Sequence, residues 1–206
     1  MAVIAPPATG FRWSPPSQRY VSPSGRFVSN DAVRNALRKF VKRGEARIAR
    51  LAADVSEGRL SVKEWQRQTA DLLKRMHLSS AAAAKGGWAQ MTPADTGRVG
   101  GQLRGHYRYL DRFAREIKAR RLSRKQIIAR SRLYARAVTP KYENDRRRAA
   151  IGVYAQERRV RQADESCPTC VREAAKGWVA MGTLLPLGES ECRTGCLCRW
   201  EFRGRF

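Results

Sequence analysis

The segment Cys167-Pro-Thr-Cys170, followed further along the chain by Cys192-Arg-Thr-Gly-Cys196-Leu-Cys198, contains all five cysteines of the 206-residue chain. Cysteines spaced as Cys-x2-Cys present two thiolates to one tetrahedral metal ion. The second group offers three candidates for the two remaining ligand positions. We therefore predict one structural zinc ion, bound by Cys167, Cys170, Cys198 and either Cys192 or Cys196.

Two alternatives remain open for these cysteines. They form one or two disulfides, or they stay reduced and pack in a core. A catalytic zinc is not expected, because such sites usually include a histidine or a carboxylate and keep one position open. The two histidines, His77 and His106, lie far from the cysteines along the chain and are expected to be ordinary surface or core residues.

The residues after the second cysteine group alternate in a way that is typical of a strand. Cys196, Cys198, Trp200 and Phe202 would fall on one face, so that the strand supplies thiolates and a hydrophobic cover together. A module this small hardly folds without a metal or a covalent bridge. We assign residues 163–206 to this Cys-rich module and expect short β-strands in it.

Residues 29–162 are predicted to form a mainly α domain, a bundle of four to five helices. Apolar residues recur at intervals of three and four, which is the pattern of amphipathic helices. Pro140 is expected to break the fourth helix, and a mostly charged helix is expected from Tyr142 to Gln162. Helix starts are predicted at capping residues Ser29 or Asn30, Ser61, Thr92 (with Pro93) and Ser123.

Residues 1–28 are rich in proline and carry no helical periodicity, so they are predicted to form an extended arm. Short strands are expected at Arg19-Tyr20-Val21 and Arg26-Phe27-Val28. Aromatic residues spaced along such an arm become buried only against another surface. We expect that surface to be a neighbouring subunit rather than the chain's own helices, with the arm mobile in the isolated protein.

The charge of the chain points to a polyanionic partner. Lys and Arg number 42 against 18 Asp and Glu, a formal net charge of +24, and such a charge repels itself in a compact protein. We predict duplex DNA as a partner, bound without sequence preference. The predicted contacts lie in the densest arginine clusters: Arg146, Arg147, Arg148, Arg158, Arg159 and Arg161.

Nothing in the sequence predicts a membrane partner or export. No segment approaches the ~20 apolar residues of a membrane span. The first ten residues lack the basic region of a secretory signal. We therefore expect a reducing compartment, in which clustered cysteines bind metal.

The cysteine pattern resembles the C-terminal signature of phage head-morphogenesis (minor head) proteins, the Mu protein F-like group. That signature commonly ends in His-Pro-Asn-Cys-Arg-Cys; Cys196 and Cys198 match its paired cysteines, and Cys192 stands near the place of its histidine, one residue further away. Cys167 and Cys170 match an upstream pair found in part of the family. Segments 24–28 and 86–92 also look like parts of phage virion proteins.

The resemblance implies a structural minor head protein of a tailed bacteriophage, located in the virion at or near the portal vertex and in the host cytoplasm during assembly. It implies contacts with portal or major capsid subunits and packaged DNA, within a larger assembly. The alternative is a cellular zinc-ribbon-like protein that binds nucleic acid without sequence preference. We find no nucleophile–base pair, paired acidic cluster or Gly-rich phosphate loop and expect no enzymatic activity.

Overall fold

The computed structural model describes residues 10–14, 17 and 19–205. The fold is mainly helical, with short strands and clustered cysteines towards the C-terminus, which confirms the predicted fold class. Among the described residues, no helix combines the length and the apolar character that crossing a bilayer requires.

The helices and strands fall in two groups along the chain. The first is β1 (Arg12–Ser14), β2 (Arg19–Val21), β3 (Phe27–Val28), α1 (Asn30–Ser56), α2 (Val62–Lys85), α3 (Pro93–Lys118) and α4 (Arg124–Arg136). The second is α5 (Val138–Ala150), β4 (Tyr154–Val160), α6 (Pro168–Ala175), β5 (Val179–Ala180) and β6 (Arg199–Arg205).

These groups form two compact units, Met1–Arg136 and Ala137–Phe206. The boundary that the sequence suggested, between residues 162 and 163, falls inside the second unit. The reason is that β4 pairs along β6 and α5 packs against β6, so the segment before the cysteines belongs with them.

Helices α3 and α4 begin with reciprocal hydrogen bonds at the predicted capping residues. At α3 the Asp95 N–H donates to the Thr92 hydroxyl, and the Thr92 N–H donates to the Asp95 carboxylate. Pro93 follows at the first helical position. At α4 the Gln126 N–H donates to Ser123 Oγ, and the Ser123 N–H donates to the Gln126 side chain. The Ser123 capping box was predicted from the sequence; at Thr92 the cap was predicted, but the return bond to Asp95 was not.

Only half of the capping box predicted for α2 forms. Ser61 accepts from the Glu64 N–H as expected, but the Glu64 carboxylate accepts from the Arg67 and Gln68 side chains instead of reaching back to Ser61. The break predicted near Pro140 is present between α4 and α5. Pro140 itself lies in the first turn of α5, where an N–H is not needed.

The core of the first unit forms where α1 to α4 turn their apolar faces towards one another. The rings of Trp65 and Phe113 meet edge to face with centroids 5.3 Å apart, and both side chains are fully buried. His77 is also buried, with its ring 4.8 Å from that of His106, in keeping with a core role. The central cluster comprises Leu51, Ala52, Val55, Trp65, Leu110, Phe113, Ala114, Ile117 and Ile127.

The N-terminal strands lie on their own helical unit, and this corrects the expectation of a neighbouring subunit. Strands β1, β2 and β3 form an antiparallel sheet. The buried Tyr20 donates its hydroxyl to the Ala83 carbonyl at 3.1 Å, and the Trp13 N–H donates to the Gly86 carbonyl. The end of α2 thus supplies the surface for Trp13 and Tyr20, whereas Phe27 remains 57% exposed. The predictions for residues 1–9, 15, 16 and 18 fall outside the described residues.

The segment predicted as helix from Tyr142 to Gln162 is helical only up to Ala150. Gly152 then adopts a φ of +79°, and the chain continues as β4. Within β4 the buried Glu157 and Arg159 alternate with the half-buried Arg158. Pairing with β5 and β6 outweighs the helix propensity of these Arg and Glu residues, because strand formation depends on neighbours that the local sequence does not contain.

We predict that Gly86→Ala destabilises the first unit more than Gly58→Ala. Both glycines follow a helix with positive φ (+95° and +76°), so each substitution costs about 1–2 kcal/mol of backbone strain. A Cβ at Gly86 would also collide with Trp13, whereas one at Gly58 meets open space. We therefore expect about 2–4 kcal/mol for Gly86→Ala, measured by denaturant unfolding followed by helical circular dichroism. Equal losses would contradict the docking of β1 on α2.

Candidate metal centre

The five cysteines come from separate elements that the second unit brings together. Cys167 and Cys170 lie at the start of α6, where Pro168 occupies the first helical position. Cys192 and Cys196 flank a single 3-10 turn, and Cys198 immediately precedes β6. The predicted alternation is present, because Cys196 and Cys198 are buried while Leu197 between them is 52% exposed. The strand itself begins only at Arg199.

The sulfur atoms have the spacing of a metal–thiolate site. Cys170 Sγ lies 3.7 Å from Cys192 Sγ and 3.9 Å from Cys196 Sγ. Zn–S bonds of about 2.3 Å in a tetrahedron place the sulfurs about 3.8 Å apart. Two groups, Cys167-Cys170-Cys192 and Cys170-Cys196-Cys198, each have all sulfurs within 4.8 Å of one another. The cysteines can therefore hold a metal ion, with Cys170 common to both groups.

None of the five cysteines forms a disulfide. This disfavours the disulfide alternative and leaves metal ligands or packed thiols. The donor set contains sulfur alone, which is the chemistry of closed structural sites rather than catalytic ones.

The pKa values of the thiols reflect their crowding. The hydrogen bond from the Cys198 thiol lowers the pKa of Cys196 to about 5, and the same bond raises the pKa of Cys198 well above its usual range. Burial, and then the charge on Cys196, also raises the pKa of Cys192. Because adjacent thiolates repel, the cluster does not ionise fully by itself; a bound divalent cation removes this restriction.

A hydrophobic layer and several polar contacts hold the two cysteine groups together. Trp200 is fully buried against the cysteines with Leu184 and Leu187, which confirms the predicted hydrophobic cover. The Thr169 hydroxyl donates to the Glu191 carboxylate at 2.7 Å. This bond connects the turn between the first two cysteines to the residue before the third.

Arg159 is a buried cation in contact with the cysteines. Its guanidinium donates to Cys170 Sγ at 3.5 Å, to Ser190 Oγ at 3.2 Å and to the Leu185 carbonyl, and it lies against the Trp200 ring. Among the described residues no carboxylate forms an ion pair with it. Since burying an isolated cation is costly, nearby negative groups must balance its charge: the buried Glu173 carboxylate, whose pKa the Arg159 charge helps to lower, and the thiolate that Cys170 would become as a metal ligand.

Arg147 is buried too, but its partner is a carboxylate. It donates two hydrogen bonds to Glu157, at 2.5 and 2.6 Å, and a third to the Leu184 carbonyl. Glu157 is fully buried and also accepts from the Leu184 N–H. This ion pair joins α5 to β4. Removing one partner would leave an uncompensated charge in the core, which costs about 3–5 kcal/mol.

Sequence reasoning missed Glu157 and Asn144. The Asn144 side chain exchanges hydrogen bonds with the Leu187 backbone and accepts from the Trp200 indole N–H. Glu157 stands out in the sequence as an acidic residue among arginines, and that isolation was the available signal.

The six arginines predicted to contact DNA do not form one surface. Arg147 and Arg159 are buried and point into the unit, so they are corrected from phosphate contacts to structural residues. Three others pair with carboxylates: Arg146 with Glu143, Arg148 with Asp145 and Arg158 with Glu201. Arg161 is exposed and forms no ion pair within the part of the chain that the structure describes.

Comparison with known proteins brings no match: no family model, no curated protein and no solved structure matches this chain. The function is therefore argued from the residues of the chain itself.

We predict that Arg159→Met weakens metal binding about 10- to 100-fold, the range typical of outer partners of metal ligands. Methionine keeps much of the volume but removes the charge and the bond to Cys170. The measurement is competition with a chelator of known affinity. Arg158→Met is the matched control, because Arg158 is half-buried, pairs with Glu201 and makes no bond to a cysteine.

Arg159→Lys should recover part of the affinity, since it restores the positive charge without the planar guanidinium. Equal affinities in Arg159→Met, Arg158→Met and the unchanged protein would contradict the charge-balancing role of Arg159.

Proposed function

We propose that this chain is a structural minor head protein of a tailed bacteriophage, without enzymatic activity, that contacts portal or capsid subunits and packaged DNA. The observation that carries this proposal is the assembly of all five cysteines into one cluster. The same cysteines carry the resemblance to head-morphogenesis proteins, so the motif corresponds to a three-dimensional site.

The metal in this proposal is zinc. The sequence assigns it to Cys167, Cys170, Cys198 and either Cys192 or Cys196. The structure groups Cys167 and Cys192 with Cys170, and separately Cys196 and Cys198 with Cys170, so a fourth thiolate would have to join one group from the other to close a tetrahedron. When bound, zinc would neutralise the charge of the thiolates, fix their positions and cross-link α6 to the segment before β6. The buried Arg159 and the Trp200 layer are the protein's own contribution, since they offset charge and exclude water.

The contact with DNA is supported by the net charge of +24. Many acidic side chains form ion pairs with arginines. Even if all 18 acidic residues were paired, 24 of the 42 basic residues would keep an unbalanced charge. A protein with this surplus gains most from a partner whose phosphates release condensed counterions. Inside a phage head, that partner is the packaged genome.

The alternative is a cellular zinc-ribbon-like nucleic-acid-binding protein. The observation that favours it is the small antiparallel sheet, β5-β4-β6, which lies beside the cysteine cluster. Gene neighbourhood separates the two: adjacent terminase and portal genes support the head protein, and a chromosomal setting without virion genes supports the alternative.

We predict salt-sensitive, sequence-independent binding of the full chain to duplex DNA. About six phosphate contacts give a slope near −5 for log affinity against log salt concentration. Fluorescence anisotropy with several unrelated duplexes of equal length measures it. A response independent of salt, or affinities that differ strongly between duplexes, would contradict the proposed mode of contact.

A further inference from the structure

Helix α1 carries a line of basic side chains on its outer face, which we call the α1 ridge. The ridge consists of Lys39, Lys42, Arg43, Arg47 and Arg50, and all five are exposed. With 3.6 residues per turn these positions share one side of the helix. The buried residues Leu37, Val41 and Ile48 occupy the opposite side, facing the core. Packing therefore directs the ridge to solvent.

No acidic residue neutralises this ridge. None of its five side chains forms an ion pair within the described ranges 10–14, 17 and 19–205. Glu45, the acidic residue in this stretch of α1, lies to one side and accepts two hydrogen bonds from Arg136, at 2.9 and 3.1 Å. The ridge thus differs from Arg146, Arg148 and Arg158, each of which is paired with a carboxylate.

We propose that the α1 ridge is the surface along which the phosphate backbone of duplex DNA binds. The inference rests on the proposed function, because it locates the DNA contact made there. From Lys39 to Arg50 the helix rises about 17 Å. A DNA strand carries one phosphate per 3.4 Å of helix axis but winds once around the duplex every 10–10.5 base pairs, so a straight ridge of this length cannot follow one strand. Its long basic side chains would instead reach phosphates of both strands across a groove.

The chemistry of the ridge favours DNA over a membrane surface. Helices that bind anionic lipid bury large apolar side chains next to their basic residues. Helix α1, all of which the structure describes, has no large apolar side chain in the exposed class; most of its apolar residues pack in the core, and Phe40 is partly buried. A surface with positive charge and no apolar part suits a phosphate backbone.

Helix α3 presents a second basic face, which serves as a matched comparison. Arg104, Arg108, Arg112 and Arg115 are exposed and span the same number of residues as the ridge. That face also carries the acidic residue Asp111, which accepts from the neutral Gln66 side chain. The charge on the α3 face is therefore lower over an equal length, and the α1 ridge is the stronger site for a polyanion.

The test compares two variants of the full chain, each with four basic residues changed to Gln. One carries Lys39→Gln, Arg43→Gln, Arg47→Gln and Arg50→Gln, and the other carries Arg104→Gln, Arg108→Gln, Arg112→Gln and Arg115→Gln. Both remove four charges from exposed helix positions, and helical circular dichroism checks that both fold. We expect the α1 variant to flatten the salt slope by about 3–4 and the α3 variant by less than half as much.

The outcomes separate this inference from the proposed function. If the unchanged protein binds DNA and the α3 variant flattens the salt slope as much as the α1 variant does, binding follows net charge alone, and the proposal that DNA binds along the α1 ridge is wrong. If the unchanged protein does not bind DNA, both proposals fail on this point. Binding to vesicles that contain phosphatidylserine, without binding to DNA, would show that the occupant of the ridge is a membrane.

Discussion

The crowding of four thiols around that of Cys170 is the constraint on which the second unit depends. Their sulfurs lie in contact distance, yet adjacent thiolates repel and buried thiols resist ionisation. A bound divalent cation would resolve this conflict, and the Arg159 guanidinium, which donates to Cys170 Sγ, adds positive charge beside the cluster. The hydrophobic layer around Trp200 is small, so packing alone leaves little margin for a unit of this size. We therefore propose that metal binding and the folding of Ala137–Phe206 are coupled.

The basic residues of the chain divide into two populations with different roles. Arg147 and Arg159 are buried; the Arg147 guanidinium donates to a carboxylate and a carbonyl, and the Arg159 guanidinium donates to a sulfur and a carbonyl. Side chains on the α1 ridge project to solvent and form no ion pair with the residues that the structure describes, and we propose them as the contact for a polyanion. High arginine content thus serves both internal structure and an external contact. A cluster of arginines in the sequence does not reveal which role it has.

The parts of the fold that depend on local sequence were predictable, and the parts that depend on distant partners were not. Thr92 and Ser123 mark helix starts because a cap needs only residues three positions away. The cysteine cluster was predictable because ligand spacing is itself a local signal. The segment that forms β4 was wrongly predicted to be helical. It forms a strand because it pairs with Trp200 and its neighbours, some forty residues later in the chain, and the local sequence does not contain that information. The burial of Arg147 could not be predicted without knowing that Glu157, its partner on β4, lies next to it in the fold.

The central claim is that a metal–thiolate cluster holds the second unit together, and metal analysis combined with hydrogen exchange tests it most directly. Protein purified without chelator should contain about one zinc ion per chain. Removing the metal should abolish amide protection in β4 and β6 while α1 to α3 remain protected, because these helices have their own core. Metal-free protein with five reactive thiols and unchanged protection in β4 and β6 would contradict the account.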